Sequence, residues 1–173
     1  MSVRARVAVS FMALSAMAFV GLTQSEHYVE KAMIPTKGDR PTLGYGSTFH
    51  PDGRPVKLGE STTPVRALVI AMAHINKDEK LFRESLKGAS LHQAEFDIYM
   101  DWVYQYGTSA WSNSSMKREI LAGNYKDACK ALLLYKRSAG YDCSTLINGK
   151  PNKVCYGVWT RQVERYNACM GVQ

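Results

Sequence analysis

At 173 residues, with 46% hydrophobic and 21% charged side chains, the chain has the size and composition of one globular domain with a short appendage. That excludes wholesale disorder and leaves no room for two ordinary domains. The formal charge of +7 favours acidic partners, but the basic residues, among them Lys31, Arg54, Arg118 and Arg161, are scattered. With no dense basic run and no zinc-finger spacing, nucleic acid is not an expected partner.

The first predicted element is apolar. Met1 to Arg6 carries two arginines and no acid, and residues 7–22, VAVSFMALSAMAFVGL, carry no charge at all. This pattern predicts an export segment whose cationic flank stays in the cytoplasm while everything after Thr23 crosses the membrane. Sixteen helical residues reach about 24 Å, short of a hydrocarbon core of about 30 Å. Seven of the sixteen are Ala, Ser or Gly, so little apolar energy holds the segment in lipid. Small residues at Ala16 and Ala18 also suit signal-peptide cleavage, and a stable anchor is the third alternative. Cleavage there would leave only seven to nine residues ahead of Glu26. We therefore expect residues 1–23 to form a retained, releasable membrane segment and residues 24–173 to form the folded domain.

Next comes EHYVEKAMIPTKGDRPTLGYGST, residues 26–48, with an acid at each end of its first helical turn, Glu26 and Glu30. Thr42–Phe49 and Arg54–Leu58 flank the turn His50-Pro51-Asp52-Gly53, which predicts a β-hairpin. The remainder reads as helical. Thr63 and Pro64 open a helix whose Val65, Leu68, Val69, Met72 and Ile75 share one face. Asp78 caps a shorter helix through Leu86. Ser90 with Gln93 opens another as a capping box, carrying Leu91, Ala94, Ile98, Trp102 and Tyr106 as far as Gly107. Ser114 or Ser115 starts the next, which Gly123 stops, Asn124 starts one that ends at Gly140, and Gly157–Ala168 forms the last. The expected fold is α+β and mainly helical, a small β-hairpin lobe joined to a larger helical lobe with a cleft between them, preceded by the N-terminal apolar helix.

All four cysteines, Cys129, Cys143, Cys155 and Cys169, fall in the last third. Their even number predicts two disulfides with three possible connectivities, and so an oxidising compartment such as a bacterial periplasm. The nested pairing, Cys143 with Cys155 and Cys129 with Cys169, would close a short loop and pin the last helix to an earlier one. None has C-x-x-C spacing and no histidine cluster lies near, so no metal is expected. No cysteine lies in residues 1–30, which rules out thiol exchange within the anchor.

Among the side chains that could carry chemistry, Glu26 is the best acid and Glu30 its rival. His27, His50, His74 and His92 lack ligand spacing and read as surface or satisfied residues. Gly44-x-Gly46 lacks the rest of a dinucleotide fingerprint, and Ser47 lacks a nucleophile elbow. Trp102, Tyr104, Tyr106 and Trp111 are of a type that stacks on sugars, though core packing explains them as well. No organic cofactor is implied.

The stretch from Glu26 through Gly44-Tyr45-Gly46-Ser47-Thr48 resembles the active-site segment of the phage lysozyme (endolysin, muramidase) family of glycoside hydrolases. Asp101-Trp-Val-Tyr-Gln-Tyr-Gly107 resembles that family's mid-domain helix, and Gly157-Val-Trp-Thr-Arg161-Gln-Val-Glu-Arg165 its C-terminal one. With the apolar N-terminus, the likeness is to endolysins of the signal-arrest-release type. It implies a lysozyme-like fold and peptidoglycan as substrate, cut at the β-1,4 bond between N-acetylmuramic acid and N-acetylglucosamine. By position Glu26 corresponds to the general acid and Thr42 to the threonine lining the water site. The family's aspartate lies six residues before that threonine, which here falls on Thr36, so Asp39, the nearby aspartate, takes the base or charge-stabilising role. That departure keeps open a lytic transglycosylase, which needs one glutamate alone. A non-catalytic wall-binding accessory protein is the other alternative. The resemblance further implies a monomer that meets the bacterial inner membrane through residues 7–22, faces the periplasm while tethered, and is then released into it to lyse the host.

Overall fold

A computed structural model describes residues 5–35, 38–138 and 140–173. The Cα positions group into two compact units, one of Met1–Ala13 with Phe82–Gln173 and the other of Leu14–Leu81. One helix, α2 (Pro64–Ser85), contributes residues to both.

The apolar N-terminal run is not one helix in the folded chain. It forms strand β1 (Val7–Ala8), a 3-10 turn (Val9–Phe11) and, after an extended stretch, helix α1 (Ala16–Ser25). Ser15 sets the break, because its side chain accepts from the Ala18 amide at 3.1 Å and caps α1. Among the described residues no helix is long and apolar enough to cross a membrane.

In the Leu14–Leu81 unit, strands β2 (Val29–Met33) and β3 (Thr42–Gly44) pair antiparallel, with Val29 opposite Gly44 and Met33 opposite Thr42. Four residue steps on β2 against two on β3 make the ladder irregular. The other edge of β2 takes two more backbone bonds, Ala32 N to Glu60 O and Thr62 N to Glu30 O, both 2.9 Å. The expected hairpin around His50-Pro51-Asp52-Gly53 contracts to a bridge between Phe49 and Pro55, closed by His50 N on Arg54 O. Helix α2 runs unbroken through Asp78, since no Gly or Pro interrupts it. Its enclosed face in this unit is Ala67, Ala71 and Ile75, whereas Val65, Val69 and Met72, expected in the core, are exposed.

Gly44 is where strand and helix meet. Its φ is +63°, and a Cβ there would stand 2.6 Å from Ala67 Cβ and 3.3 Å from Ala67 Cα. Backbone cannot yield as a flexible side chain would. Gly44→Ala is therefore expected to cost about 2 kcal/mol or more, lowering Tm by roughly 4–8 °C for a chain of this size. A thermal melt unchanged from wild type would mean the strand has room to retreat.

The other unit is helical. Strand β4 (Ser90–Leu91) precedes α3 (Gln93–Ser112), followed by α4 (Ser115–Leu121), α5 (Tyr125–Ala131) and, after the short hairpins β5 (Arg137–Ser138) with β6 (Tyr141–Asp142) and β7 (Leu146–Ile147) with β8 (Lys150–Pro151), by α6 (Tyr156–Met170). The box that opens α3 is formed by Glu95, which accepts from His92 N at 2.8 Å, not by Ser90, whose backbone pairs with β1. Gly107, expected to end α3, instead kinks it with φ 84° and ψ 160°. Ser114 caps α4 as predicted, accepting from Lys117 N. Trp102 and Trp111 are buried in an aromatic core with Phe82, Phe96 and Tyr99, and Trp111 donates its indole N–H to Ser85 Oγ at 2.9 Å. Burial pushes the Tyr99 phenol far up.

Two disulfides, Cys129–Cys169 and Cys143–Cys155, give the nested connectivity and leave no free cysteine. Loops of 40 and 12 residues are closed, each bridge contributing roughly 2–4 kcal/mol. At the end of β6, Ser144 and Lys136 hold the Asp142 carboxyl down at about 2.

Candidate active site

Glu26 is the C-cap of α1, with extended φ −99° and ψ 131°, and its side chain is half-buried. The helix stops at the acid, so the carboxylate belongs to the turn between α1 and β2 rather than to a helical surface. It meets the Gly44-Tyr45-Gly46 turn: a Cβ added to Gly46 would stand 3.4 Å from Glu26 Oε2. Gly46 has φ +78°, so both backbone and neighbour favour glycine. The turn is closed by a reciprocal pair, Leu43 N on Ser47 O at 2.9 Å and Ser47 N on Leu43 O at 3.1 Å.

Two tyrosines adjoin the acid and the turn in sequence. Tyr28, two residues on, donates its hydroxyl to Thr62 O at 2.9 Å, and its ring lies 5.6 Å from that of Tyr45. Burial, the Glu30 carboxylate and Tyr45 push the Tyr28 phenol above its ordinary value. These tyrosines are distinct from Trp102, Tyr104, Tyr106 and Trp111, the aromatic candidates of the sequence. Their signal was only adjacency to Glu26 and to the Gly-x-Gly turn.

Thr42 begins β3 opposite Met33 and donates its hydroxyl to Met33 O at 3.3 Å. Asp39 is exposed, three residues earlier, just after Gly38 with φ +96°. The β2–β3 ladder thus has Glu26 near its Val29–Gly44 end and Asp39 beyond its Met33–Thr42 end, so the strands space the two acids apart. Thr36 lies outside the described residues. Glu30 is exposed in β2, not one helical turn from Glu26. Two histidines are satisfied, His50 Nε2 against Glu60 Oε2 at 2.7 Å and His74 Nε2 against Phe49 O at 2.8 Å. Among the described residues no three His, Cys, Asp or Glu side chains cluster as a metal site.

The two other motif segments noted in the sequence hold each other. Asp101 of α3 accepts from Arg161 Nη2 at 2.5 Å and from Arg165 Nε at 2.6 Å, both of α6. Arg165 also donates to Gln105 Oε1 and to Asp101 O, which balances the burial of its guanidinium. Their work is to fasten the last helix.

Solved structures share this architecture. The endolysin of Escherichia coli O157:H7 phage FAHEc1 superposes with a TM-score of 0.73 at 23% identity, covering 92% of this chain and 94% of that one. The active form of P1 phage endolysin Lyz gives 0.68 at 14% identity over 97% and 96%, and its secreted inactive form 0.50 at 16% over 89% and 94%. The fold is lysozyme-like. In sequence, the chain is 29% identical over 136 residues to the endolysin of Salmonella phage P22, covering 79% of this chain and 91% of that protein. The phage lysozyme family model matches residues 23–165, and the chain belongs to that family. It is a lysozyme-like enzyme of the endolysin kind, acting on the peptidoglycan of the cell wall.

Proposed function

We propose that the chain hydrolyses the β-1,4 bond between N-acetylmuramic acid and N-acetylglucosamine. Glu26 protonates the leaving oxygen while Asp39 and Thr42 manage the water on the opposite face of the sugar. The single observation that carries this reading is the approach of the Glu26 carboxylate to the Gly46 turn. No residue in this scheme calls for a metal or organic cofactor, and the protein acts as a monomer. Its basic surface helps hold an anionic wall, an attraction that salt weakens.

Product analysis tests the reaction. Reducing muramic ends in digested peptidoglycan support hydrolysis, and 1,6-anhydromuramic ends would move the assignment to a lytic transglycosylase, which the exposed position of Asp39 keeps in play.

The same reading includes delivery. Residues 7–22 carry the chain across the inner membrane and tether it, facing the periplasm, until the segment leaves the bilayer. Support comes from the lack of charge in that run and from its placement in the folded chain, where Val9, Met12 and Leu22 are buried. That P1 phage Lyz has both an active and a secreted inactive form is in keeping with such a route.

A further inference from the structure

Arg6 ends the cationic flank that lies on the cytoplasmic side during export. In the folded chain it is bound instead to the helical unit. Its Nε and Nη2 donate to both oxygens of Glu95, at 3.1 and 3.0 Å, and Nη2 donates also to Gln173 Oε1 at 2.8 Å. The guanidinium carbon stands 3.7 Å from the centroid of the Tyr125 ring. Glu95 is fully buried, and its other bonds come from neutral donors, His92 N at 2.8 Å and Gln173 Nε2 at 2.6 Å.

The arm that follows Arg6 is fastened along its length. Val7 and Ala8 pair with Leu91 and Ser90, and Val9 N donates to Ala89 O at 3.0 Å. Arg83 Nη1 donates to Met12 O at 3.0 Å and Gln93 Nε2 to Ala13 O at 2.8 Å. None of these bonds can form while residues 7–22 cross a bilayer with Arg6 on one side and Glu95 on the other.

We propose that Arg6 is a latch: its closure on buried Glu95, with Tyr125 and Gln173, holds the N-terminal arm on the domain after release and draws the arm out of the membrane. The proposal rests on the tethered-export reading above. With the arm undocked Glu95 keeps, of the donors above, only the neutral His92 N and Gln173 Nε2, and the closing arm can bury it without a large cost only if it brings a counter-charge. Docking supplies that charge through a two-pronged guanidinium, the geometry best matched to a carboxylate. An exposed ion pair could not bias the equilibrium this way, because water screens it. The latch also requires that the mature protein keep Arg6, so no peptidase cuts at Ala16 or Ala18.

The test uses the full-length chain expressed in cells, with release triggered by an uncoupler and read as the ratio of soluble to alkali-resistant membrane-bound protein. Arg6→Gln and Glu95→Gln are each expected to lower that ratio by about tenfold or more. The double variant, with both charges gone, should lose less than the product of the two single losses. Arg6→Lys, which keeps the charge but not the fork, should fall between Arg6→Gln and wild type, and Arg4→Gln, which removes the same charge from the flank, should stay within about twofold of wild type. Should Glu95→Gln fail to accumulate, the Arg6 series alone decides. Release of Arg6→Gln at the wild-type ratio, losses that simply multiply, or a mature mass lacking Arg6 would overturn the latch. Peptidoglycan cleavage is assayed separately on the released pool. Inactive wild type with the coupling intact would refute the function and spare the latch.

Discussion

Glu26→Gln is expected to abolish clearing in a peptidoglycan zymogram, with a loss of about 10²–10⁴-fold or more, the usual worth of a positioned proton donor. The substitution keeps the shape of the side chain, and Glu26 is half-buried at the end of α1 rather than in a packed core. Folding, read by circular dichroism and Tm, should therefore stay near wild type. Loss of clearing in a folded protein separates an enzyme from a wall-binding accessory protein of the same fold. Undiminished clearing would take the acid's role away from Glu26.

The second large effect is on timing. Ala13, Ala16 and Gly21 are exposed in the folded chain, and a Cβ on Gly21 would meet nothing within 4 Å. Leucine at all three should leave the folded domain largely undisturbed. In lipid each leucine is favourable by about 0.3–0.6 kcal/mol on insertion scales, together roughly 1–2 kcal/mol. That is about tenfold in partition toward the membrane. The triple variant should stay in the membrane fraction and delay lysis of the expressing culture. Lysis on the wild-type schedule would remove the releasable-anchor reading.

Much of the helical framework was legible because its punctuation is local. Ser114, Gly123 and Asn124 mark boundaries by backbone chemistry that no distant contact needs to supply. Strand β2 was not legible. VEKAM has no clean alternation, and acids at 26 and 30 imitate the spacing of a helical turn, whereas the pairing of Val29–Met33 with Thr42–Gly44 is a non-local fact. On α2 the apolar period pointed to Val65, Val69 and Met72, yet the enclosed face carries Ala67 and Ala71, whose small side chains give almost no hydrophobic signal. The break at Ser15 was hidden inside an apolar run for a similar reason, since a cap matters only once the segment is folded in water. Of the site, the link between Glu26 and the Gly-x-Gly turn came from the resemblance to the phage lysozyme segment, since twenty residues of separation fix no contact by themselves. The exposure of Asp39 and the contact between the Tyr28 and Tyr45 rings depend on the path of the β2–β3 loop, which spacing alone does not fix.

Gly44 and Gly46 look interchangeable on paper, two bare residues in one tight bend, but they answer to different neighbours. A methyl at the first would strike the helix behind the strand, and a methyl at the second would lean on the acid itself. The bend is thereby divided in its obligations, one position guarding the shape of the scaffold and the other guarding elbow room around a proton. Drift at the two should leave unlike scars: both lose durability to a left-handed backbone, but only the second also loses pace.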